Sequence, residues 1–589
     1  ERTDGVPLFI EELTKAMAES GEALSAAAIP TTLQDALEAR LDRLGDAREI
    51  AQIGAVIGRD FAYDLLAGVT GVDEDDMRNR LDSLVGSELV SCRGEPPEAT
   101  YTFKHALLQD TAYNSLLRRR REELHGRIAE ILERQFPDRA AAEPEVVAHH
   151  FTAADRPREA IRYWYNAGQQ ANARSANREA ISHFERGITL LHGLSPEYDR
   201  DDRELDFQIN LAAASIAARG YAQDETEAAY LRARDLLTTV GHDERQFAVL
   251  HGLFVVQTNL ARLDAAEEIA QDLLDRALAN DDQIPILVGH RALAVAYNAL
   301  GKFDLAYRES SAATALYDPE GHRESALIYG HDVGVAAGMH MALSSWYLGY
   351  PDRSMNEAAW AFALAERLEH ANTLGYAHLW YVFIHLLAHE FETTRVWAEA
   401  MVRLGDEKSM ALWSGWGRCL LGCALACLGR AEEALAHFAA GREIIARVRS
   451  FMLRPTFGCF EAIAHEDLGH HDEALAIIDS LEGVVSETGE RWYLPEVHRI
   501  RASLRNGAAE SDLIRAIEVA KDMGSRIFEL RAATDFARLR HSQGESSEAR
   551  KLLIPLYSRF TEGFDTADLK EAKALLDQLS WPLKLQLAN

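Results

Sequence analysis

The apolar positions of the chain follow a helical period over most of its length. Leu, Ala, Glu and Arg, which favour helices, dominate the sequence, and only 15 of the 589 residues are Pro. From about residue 155 onward, an apolar helical segment repeatedly ends at a small residue, and a second segment opens with Ala a few residues later. This alternation predicts an array of helical hairpins.

The turns inside these hairpins recur at intervals of 40, 48, 40, 40 and 40 residues. They fall at Ala261, Gly301, Gly349, His389, Gly429 and Gly469. Weaker turns extend the series in both directions, so about ten hairpins are expected. These weaker turns are at Ala176, Gly220, Gly507 and Gly544.

One hairpin shows the order of large and small residues that is typical of tetratricopeptide repeats. The matching positions are Leu421, Gly422, Leu425, Ala434, Phe438 and Gly441. Small residues at Gly422 and Ala434 let two helices approach, and Phe438 fills the gap to the next hairpin. The fold class expected is mainly α, with a tetratricopeptide-like α-solenoid, a right-handed superhelix of helical hairpins, over residues 154–580.

Residues 30–122 follow a different pattern, in which amphipathic helices precede two short β-type runs. The pattern predicts helices over 33–44, 46–57, 63–69 and 74–84 and β-type runs over 88–92 and 100–103. Helices followed by a β-hairpin are typical of a winged-helix domain. Two connecting helices are expected within 123–153, over 125–136 and 143–150, and residues 581–589 are expected to be a tail.

Charge narrows the classes of partner. The formal charge is −31, and such a field repels a phosphate backbone from most of the surface. The dense basic run Arg118 to Arg121 follows a predicted helix, while the helix that would read DNA, over 73–84, is rich in Asp and Glu. Direct nucleic-acid binding is therefore not expected.

Membrane insertion and secretion are not expected either. No apolar run reaches the roughly 18 residues of a membrane helix, and the chain does not open with a signal segment. Five Cys are too few for a disulfide framework in a chain of this length. These observations predict a cytoplasmic protein.

Motifs for catalysis or metal binding are missing from the sequence. It contains no phosphate-binding G-x-x-x-x-G-K-[ST] loop, no G-x-S-x-G elbow and no H-E-x-x-H helix. Cys419, Cys423 and Cys427 share one side of a helix but spread over roughly 12 Å, so core packing is the favoured interpretation. No catalytic residue and no metal site are predicted.

Tryptophan is concentrated in the middle of the repeats. Six of the nine Trp lie between residues 346 and 416, where aromatic side chains usually fill gaps between hairpins. A groove for a ligand or peptide is the alternative. In the register of the first helix of each hairpin, Trp346, Phe383 and Trp416 would lie on its inner surface.

Two stretches carry a resemblance to a family. The segment Gly5-Val6-Pro7 near the start resembles the G-x-P element that ends the ATPase core of STAND proteins (signal transduction ATPases with numerous domains). The segment from Thr100 to Leu116, which contains His105, is similar to the histidine-bearing element of their winged helix. With the repeats, the chain resembles bacterial proteins in which a class III adenylate/guanylate cyclase domain precedes a STAND ATPase and a tetratricopeptide region.

The resemblance implies roles for two residues in a longer parent protein. Pro7 matches the proline that packs on adenine, and His105 matches the histidine that contacts the nucleotide phosphates. Structural roles, as the first turn of a helix for Pro7 and as a helix cap for His105, remain the alternatives. Residues 1–29 are expected to end the ATPase core.

The parent would bind ATP or ADP with Mg²⁺, while the chain itself is expected to hold no cofactor. The phosphate-binding loop and any cyclase aspartates would precede Glu1, so we expect neither ATP hydrolysis nor cyclic nucleotide synthesis from this chain.

The function expected is regulatory. The repeats would bind a partner protein or a small effector, and the winged helix would transmit that event to an upstream nucleotide switch and cyclase. One alternative is a part of an ATP-dependent transcription regulator, although the acidic surface disfavours DNA. Another is a scaffold that binds proteins constitutively.

Overall fold

The computed structural model describes residues 33–586 apart from 175, 196–198, 221, 242–243, 323–325, 327–328 and 506–508. Pro7 and the predicted segment 1–29 lie outside the described residues, as does the predicted turn at Gly507. The chain divides into two compact units, Glu1–Asn210 and Leu211–Asn589. In the described part of both units, no helix is long and apolar enough to cross a membrane.

The first unit contains ten helices that end before the unit boundary and three short strands among its described residues. In chain order they are α1 (Leu33–Asp42), α2 (Ala47–Ile57), β1 (Asp60–Ala62), α3 (Tyr63–Thr70), α4 (Glu74–Gly86), β2 (Val90–Arg93), β3 (Thr100–Phe103), α5 (Ala106–Asn114), α6 (Arg118–Gln135), α7 (Pro137–Ala142), α8 (Pro144–Ala153), α9 (Pro157–Ala173) and α10 (Asn177–His192). The helix α11 (Arg200–Arg219) contains the boundary between the units.

The three strands form one antiparallel sheet in the order β1-β3-β2. Phe61 pairs with Tyr101, and Cys92 lies opposite the same residue on the other side of β3. The hairpin of β2 and β3 agrees with the prediction, whereas β1 is an addition. It has three residues, of which only Phe61 is buried, so it is too short to show an alternating pattern.

The basic run from Arg118 to Arg121 begins a helix as well as following one. It forms the first turn of α6, where the positive end of the helix dipole disfavours cations. Glu122 and Glu123, one turn further on, pair with Arg118 and Arg119 and offset this cost. Arg120 pairs with Glu123 and with Glu49 of α2, so three of the four arginines are engaged in ion pairs.

The second unit continues α11 with a series of helices joined by short turns. They are α12 (Asp224–Val240), α13 (Arg245–Asn259), α14 (Leu263–Asn280), α15 (Gln283–Ala299), α16 (Phe303–Leu316), α17 (Val333–Tyr347), α18 (Pro351–Leu368), α19 (Ala371–Leu387), α20 (Phe391–Glu407), α21 (Ala411–Cys427), α22 (Ala431–Val448), α23 (Arg454–Asp467), α24 (His471–Thr488), α25 (Leu494–Leu504), α26 (Ala509–Asp522), α27 (Arg526–Ser542), α28 (Ser546–Tyr557) and α29 (Ala567–Gln586). The helices pack in consecutive pairs, which makes this unit an all-α solenoid.

The turns predicted from the 40-residue spacing lie between paired helices. All six residues of the main series have a left-handed backbone, with φ between 55° at Ala261 and 87° at Gly349. Gly422 packs against Phe438 of the paired helix, and a Cβ at Gly422 would come within 3.0 Å of that ring. The small residues thus permit the close approach that the sequence predicts.

Residues far apart in the second unit also contact each other directly. The amide of Phe451 donates to the carbonyl of Asn259 (2.7 Å), and that of Arg491 donates to the carbonyl of Ala299 (2.8 Å). The guanidinium of Arg531 donates to the carbonyl of Leu387 (2.9 Å). Each acceptor lies at the end of the first helix of its hairpin. Early and late hairpins of the second unit therefore contact each other, and in this sense the solenoid is closed.

Candidate ligand cavity

A cavity lies within the closed solenoid of the second unit. The first helices of successive hairpins line it, namely α13, α15, α19 and α21, together with the segments that precede α17, α23 and α25. Most of the wall is apolar, and seven lining side chains carry a phenyl, phenol or indole ring. They are Phe254, Tyr329, Tyr376, Trp380, Trp413, Trp416 and Trp492.

The cavity is small and partly open to solvent. Its volume is about 80 Å³, several times the roughly 10–15 Å³ that a single water molecule needs. The space is too confined for a helix of about 10 Å diameter.

The single long interval in the repeat series supplies two of the lining residues. The turns at Gly301 and Gly349 are 48 residues apart, and the extra residues lie between α16 and α17. This insertion places Tyr329 and His331 on the cavity wall. The ring of His331 stacks on that of Tyr376 at a centroid distance of 4.3 Å.

Arg291 brings a buried positive charge to this wall. It lies on α15 and is 2% exposed, and one terminal nitrogen donates to Nε2 of His251 at 2.5 Å. Among the described residues that line the cavity there is no Asp, Glu or Lys. Burial lowers the pKa of Arg291, partly opposed by Tyr376 and Tyr329, but an arginine retains its proton in proteins. The cavity therefore carries an unbalanced positive charge.

The histidines around Arg291 are neutral at physiological pH. Burial, with the nearby guanidinium, holds the pKa of His251 and of His331 well below the usual range and lowers that of His340 to about 3. Nε2 of His340 lies 2.8 Å from the hydroxyl of Tyr376. Of the three, only His331 lines the cavity, where it adds a hydrogen-bonding group without adding charge.

Several donors in the cavity wall have no acceptor in the protein. The Nε–H of Arg291 and the indole Nε1–H of Trp416 are buried and lack a hydrogen-bond partner among the described residues. By contrast, Asn259 donates to the carbonyl of Val255 (2.9 Å) and accepts from Ser450 (2.9 Å), and Thr258 donates to that of Phe254 (2.8 Å). The wall therefore offers more hydrogen-bond donors than acceptors. Unpaired buried donors cost free energy, and a ligand with acceptor atoms would remove that cost.

A buried carboxyl group fixes part of the wall from behind. Oε1 of Glu490 accepts from the indole nitrogen of Trp492 (2.6 Å) and from the amide of Leu453 (2.9 Å). Burial raises the pKa of Glu490 to about 8, although these two donors oppose the shift. Glu490 is a positioning residue for two lining residues.

The residues predicted for a groove occupy different environments. Trp416 is 7% exposed and lines the cavity, as do its neighbours Trp413 and Trp380. Trp346 and Phe383 are fully buried and are not among the lining residues. On α19, the residues that reach the cavity are Tyr376, Leu379 and Trp380, which lie within the two turns before Phe383. A role of Trp416 in binding stays a prediction.

His105 occupies the N-cap position of α5, at the end of β3. Its backbone is extended (φ −131°, ψ 138°), it is half-buried, and its side chain makes no cap hydrogen bond. Its contact with nucleotide phosphates stays a prediction.

The cysteines noted in the sequence belong to the core. Cys419 and Cys423 are fully buried in α21, and burial raises the pKa of Cys419 to about 12. In the part of the chain that the structure describes, no group of three or more His, Cys, Asp or Glu is arranged to hold a metal ion.

Sequence reasoning missed most of the cavity, although two features point to it. Arg291 is the single charged residue of α15, whose other residues are apolar or neutral. The 48-residue interval marks the insertion that contributes Tyr329 and His331. No feature of the sequence indicates that Trp492 and Leu453 line the cavity. They belong to hairpins about 200 residues after α13, and the curvature of the solenoid places them there.

The chain is similar to one curated protein over most of its length. An uncharacterized protein of Rhizobium meliloti (strain 1021) is 26% identical over 559 residues, which are 92% of this chain and 53% of that protein. The chain thus spans about half the length of this curated relative. No protein-family model matches it.

Solved structures of repeat proteins are similar at low identity. A STAND protein with a tetratricopeptide repeat sensor from Pyrococcus horikoshii is 10% identical, with a TM-score of 0.37, over 90% of this chain and 70% of that one. A Rap protein complexed with competence and sporulation factor is 11% identical, with a TM-score of 0.42, over 62% of this chain and 99% of that one. The Cut9–Hcn1 hetero-tetramer of APC/C is 10% identical, with a TM-score of 0.41, over 98% of this chain and 99% of that one.

Proposed function

We propose that the chain is the sensor region of a multidomain signalling ATPase and that the solenoid binds a small effector in its central cavity. The observation that carries the effector site is the cavity, which combines an aromatic wall with one unbalanced charge in a solenoid that has closed on itself. A constitutive scaffold would not need a buried arginine without an acidic partner. Such a group costs stability unless something else pairs with it.

The first unit would transmit binding to the nucleotide switch. We propose that residues 30–122 form a winged helix, which the helices α2, α3 and α4 and the sheet order β1-β3-β2 support. The first turn of α4 carries Glu74, Asp75 and Asp76, which suits contact with protein better than contact with DNA. His105 would contact the phosphates of a nucleotide held by the ATPase core of the parent protein, and that parent would control a cyclase.

Filling the cavity tests the effector site. Leu412 is a half-buried lining residue, and Leu412→Trp adds bulk to the wall, whereas Leu278→Trp makes the same change at a position that is 54% exposed. A panel of small aromatic and carboxylated compounds is screened by thermal shift and then by calorimetry. We expect compounds that bind the wild type and Leu278→Trp but not Leu412→Trp. Equal binding to all three proteins would contradict the proposal.

An activity assay tests the assignment as a sensor rather than an enzyme. The purified chain is incubated with ATP and Mg²⁺, and ADP and cyclic AMP are measured. We expect no turnover of either kind. Turnover that copurifies with the chain would contradict this assignment.

A further inference from the structure

We propose that the ligand of the cavity is a small organic monoanion with a flat aromatic body, and that its carboxylate pairs with Arg291. This inference rests on the proposed function, because it specifies the chemical class of the effector. It follows from three independent properties of the wall, namely its charge, its free donors and its rings.

The charge of the wall favours one negative charge on the ligand. Arg291 is the single ionised side chain among the described lining residues, since His331, the one histidine among them, is neutral. A monoanion balances this charge, whereas a dianion such as a phosphate monoester would leave a negative charge buried in an apolar site. Arg291 would repel a cationic ligand, so the aromatic side chains of the wall do not form a binding cage for ammonium groups.

The free donors favour a ligand group with acceptor oxygens. The Nε–H of Arg291 and the Nε1–H of Trp416 can only donate, and neither has a partner among the described residues. Nε2 of His331 is likewise buried and unpartnered. Because the nitrogens of a guanidinium match the two oxygens of a carboxylate in geometry, a carboxylate pairs well with Arg291.

The rings favour a flat unsaturated body attached to that carboxylate. His331 and Tyr376 form a stacked pair, and Trp413 and Trp416 meet edge to face at 5.8 Å. Aromatic pairs of either geometry add to the energy of burial. An aromatic ring therefore gains more in this cavity than an aliphatic chain of equal size.

The affinities of three matched probes decide the ligand class. The probes are 3-phenylpropanoate, 3-phenylpropanamide and 3-phenylpropylammonium, which share the ring and the chain but carry an anion, a neutral amide or a cation. Calorimetry with the wild type is expected to show that the acid binds at least about tenfold more tightly than the amide and the amine.

Variants of Arg291 connect this preference to one residue. Arg291→Met removes the charge at similar volume and is expected to reduce the preference to less than about twofold, while Arg291→Lys is expected to keep part of it. Arg538→Met is the matched control, because Arg538 is 53% exposed. Melting temperature and circular dichroism show whether each variant folds. If Arg291→Met does not fold, the ratios in the wild type and in Arg291→Lys decide.

Failure of this inference can be told apart from failure of the proposed function. Equal affinity of the wild type for acid and amide would overturn the carboxylate and leave the cavity as a ligand site. No binding of any probe by the wild type would also overturn the inference. A different result would contradict the proposed function, namely that every compound of the panel binds the wild type and Leu412→Trp with equal affinity or binds neither.

Discussion

Glu490 shows how a single residue couples the cavity wall to pH. A carboxyl group whose pKa is raised to about 8 in the folded chain holds its proton over a range where the unfolded chain has lost it. Its contribution to stability is complete below the usual pKa of Glu, near 4.5, and is lost as the pH rises from there through about 8. Above pH 8, a charged carboxylate is buried behind Trp492.

We predict that Glu490→Gln removes this loss of stability. The amide oxygen can accept the same two hydrogen bonds and does not ionise, so the variant should exceed the wild type at pH 8.5 by on the order of 4–5 kcal/mol. The difference should shrink toward pH 5. Thermal melts across this range measure it, with exposed Glu487→Gln as the control. A difference that does not change with pH would contradict the raised pKa.

Individual residues of the site were only partly predictable from the sequence. The cluster of six tryptophans indicates Trp416, which lines the cavity. The same pattern indicates Trp346 and Phe383, which are buried, because their helices are apolar on nearly all sides and have no polar face that fixes which residues point inward. Which side chains face inward is decided by packing against later hairpins.

At the scale of elements, helix pairs depend on small residues at their closest approach. Gly405 lies in α20, and a Cβ there would come within 2.5 Å of the backbone nitrogen of Ser414 in α21. Because a backbone atom cannot rotate away, the two helices would have to separate. The sequence spacing located such pairs correctly, since a turn needs a left-handed residue and a crossing needs a small one, and both are local requirements.

We predict that Gly405→Ala destabilises the second unit by about 1–3 kcal/mol. Gly483→Ala is the matched control, since a Cβ at this exposed position in α24 meets nothing within 4 Å. It should leave stability unchanged or raise it by up to about 1 kcal/mol. Urea unfolding of both variants makes the comparison, and equal effects would show that helix propensity rather than crowding governs these positions.

At the scale of the whole molecule, Arg531 joins distant parts of the second unit. On α27, it donates to both carboxylate oxygens of Asp568 (2.6 and 2.8 Å), to Glu496 (3.1 Å) and to the carbonyl of Leu387. Burial alone would raise the pKa of Glu496, but Arg499 and Arg531 outweigh it and lower the pKa to about 2. Contacts between distant hairpins cannot be read from a repeat period, because small rotations per hairpin set the curvature.

We predict that Arg531→Met costs about 3–5 kcal/mol, because it leaves Asp568 buried without its cation. Arg538→Met, which removes an exposed arginine from the same helix, should cost less than about 1 kcal/mol. Chemical denaturation monitored by tryptophan fluorescence compares the two. Similar costs would mean that the buried ion pairs do not hold the solenoid closed.

A crystal structure of the chain with 3-phenylpropanoate tests most directly whether the solenoid encloses a site for a small carboxylate. We predict electron density for the probe among Tyr376, Trp413 and Trp416, with a carboxylate oxygen about 3 Å from a nitrogen of Arg291. An empty cavity at a probe concentration that saturates binding in calorimetry, or a probe bound elsewhere, would contradict the claim.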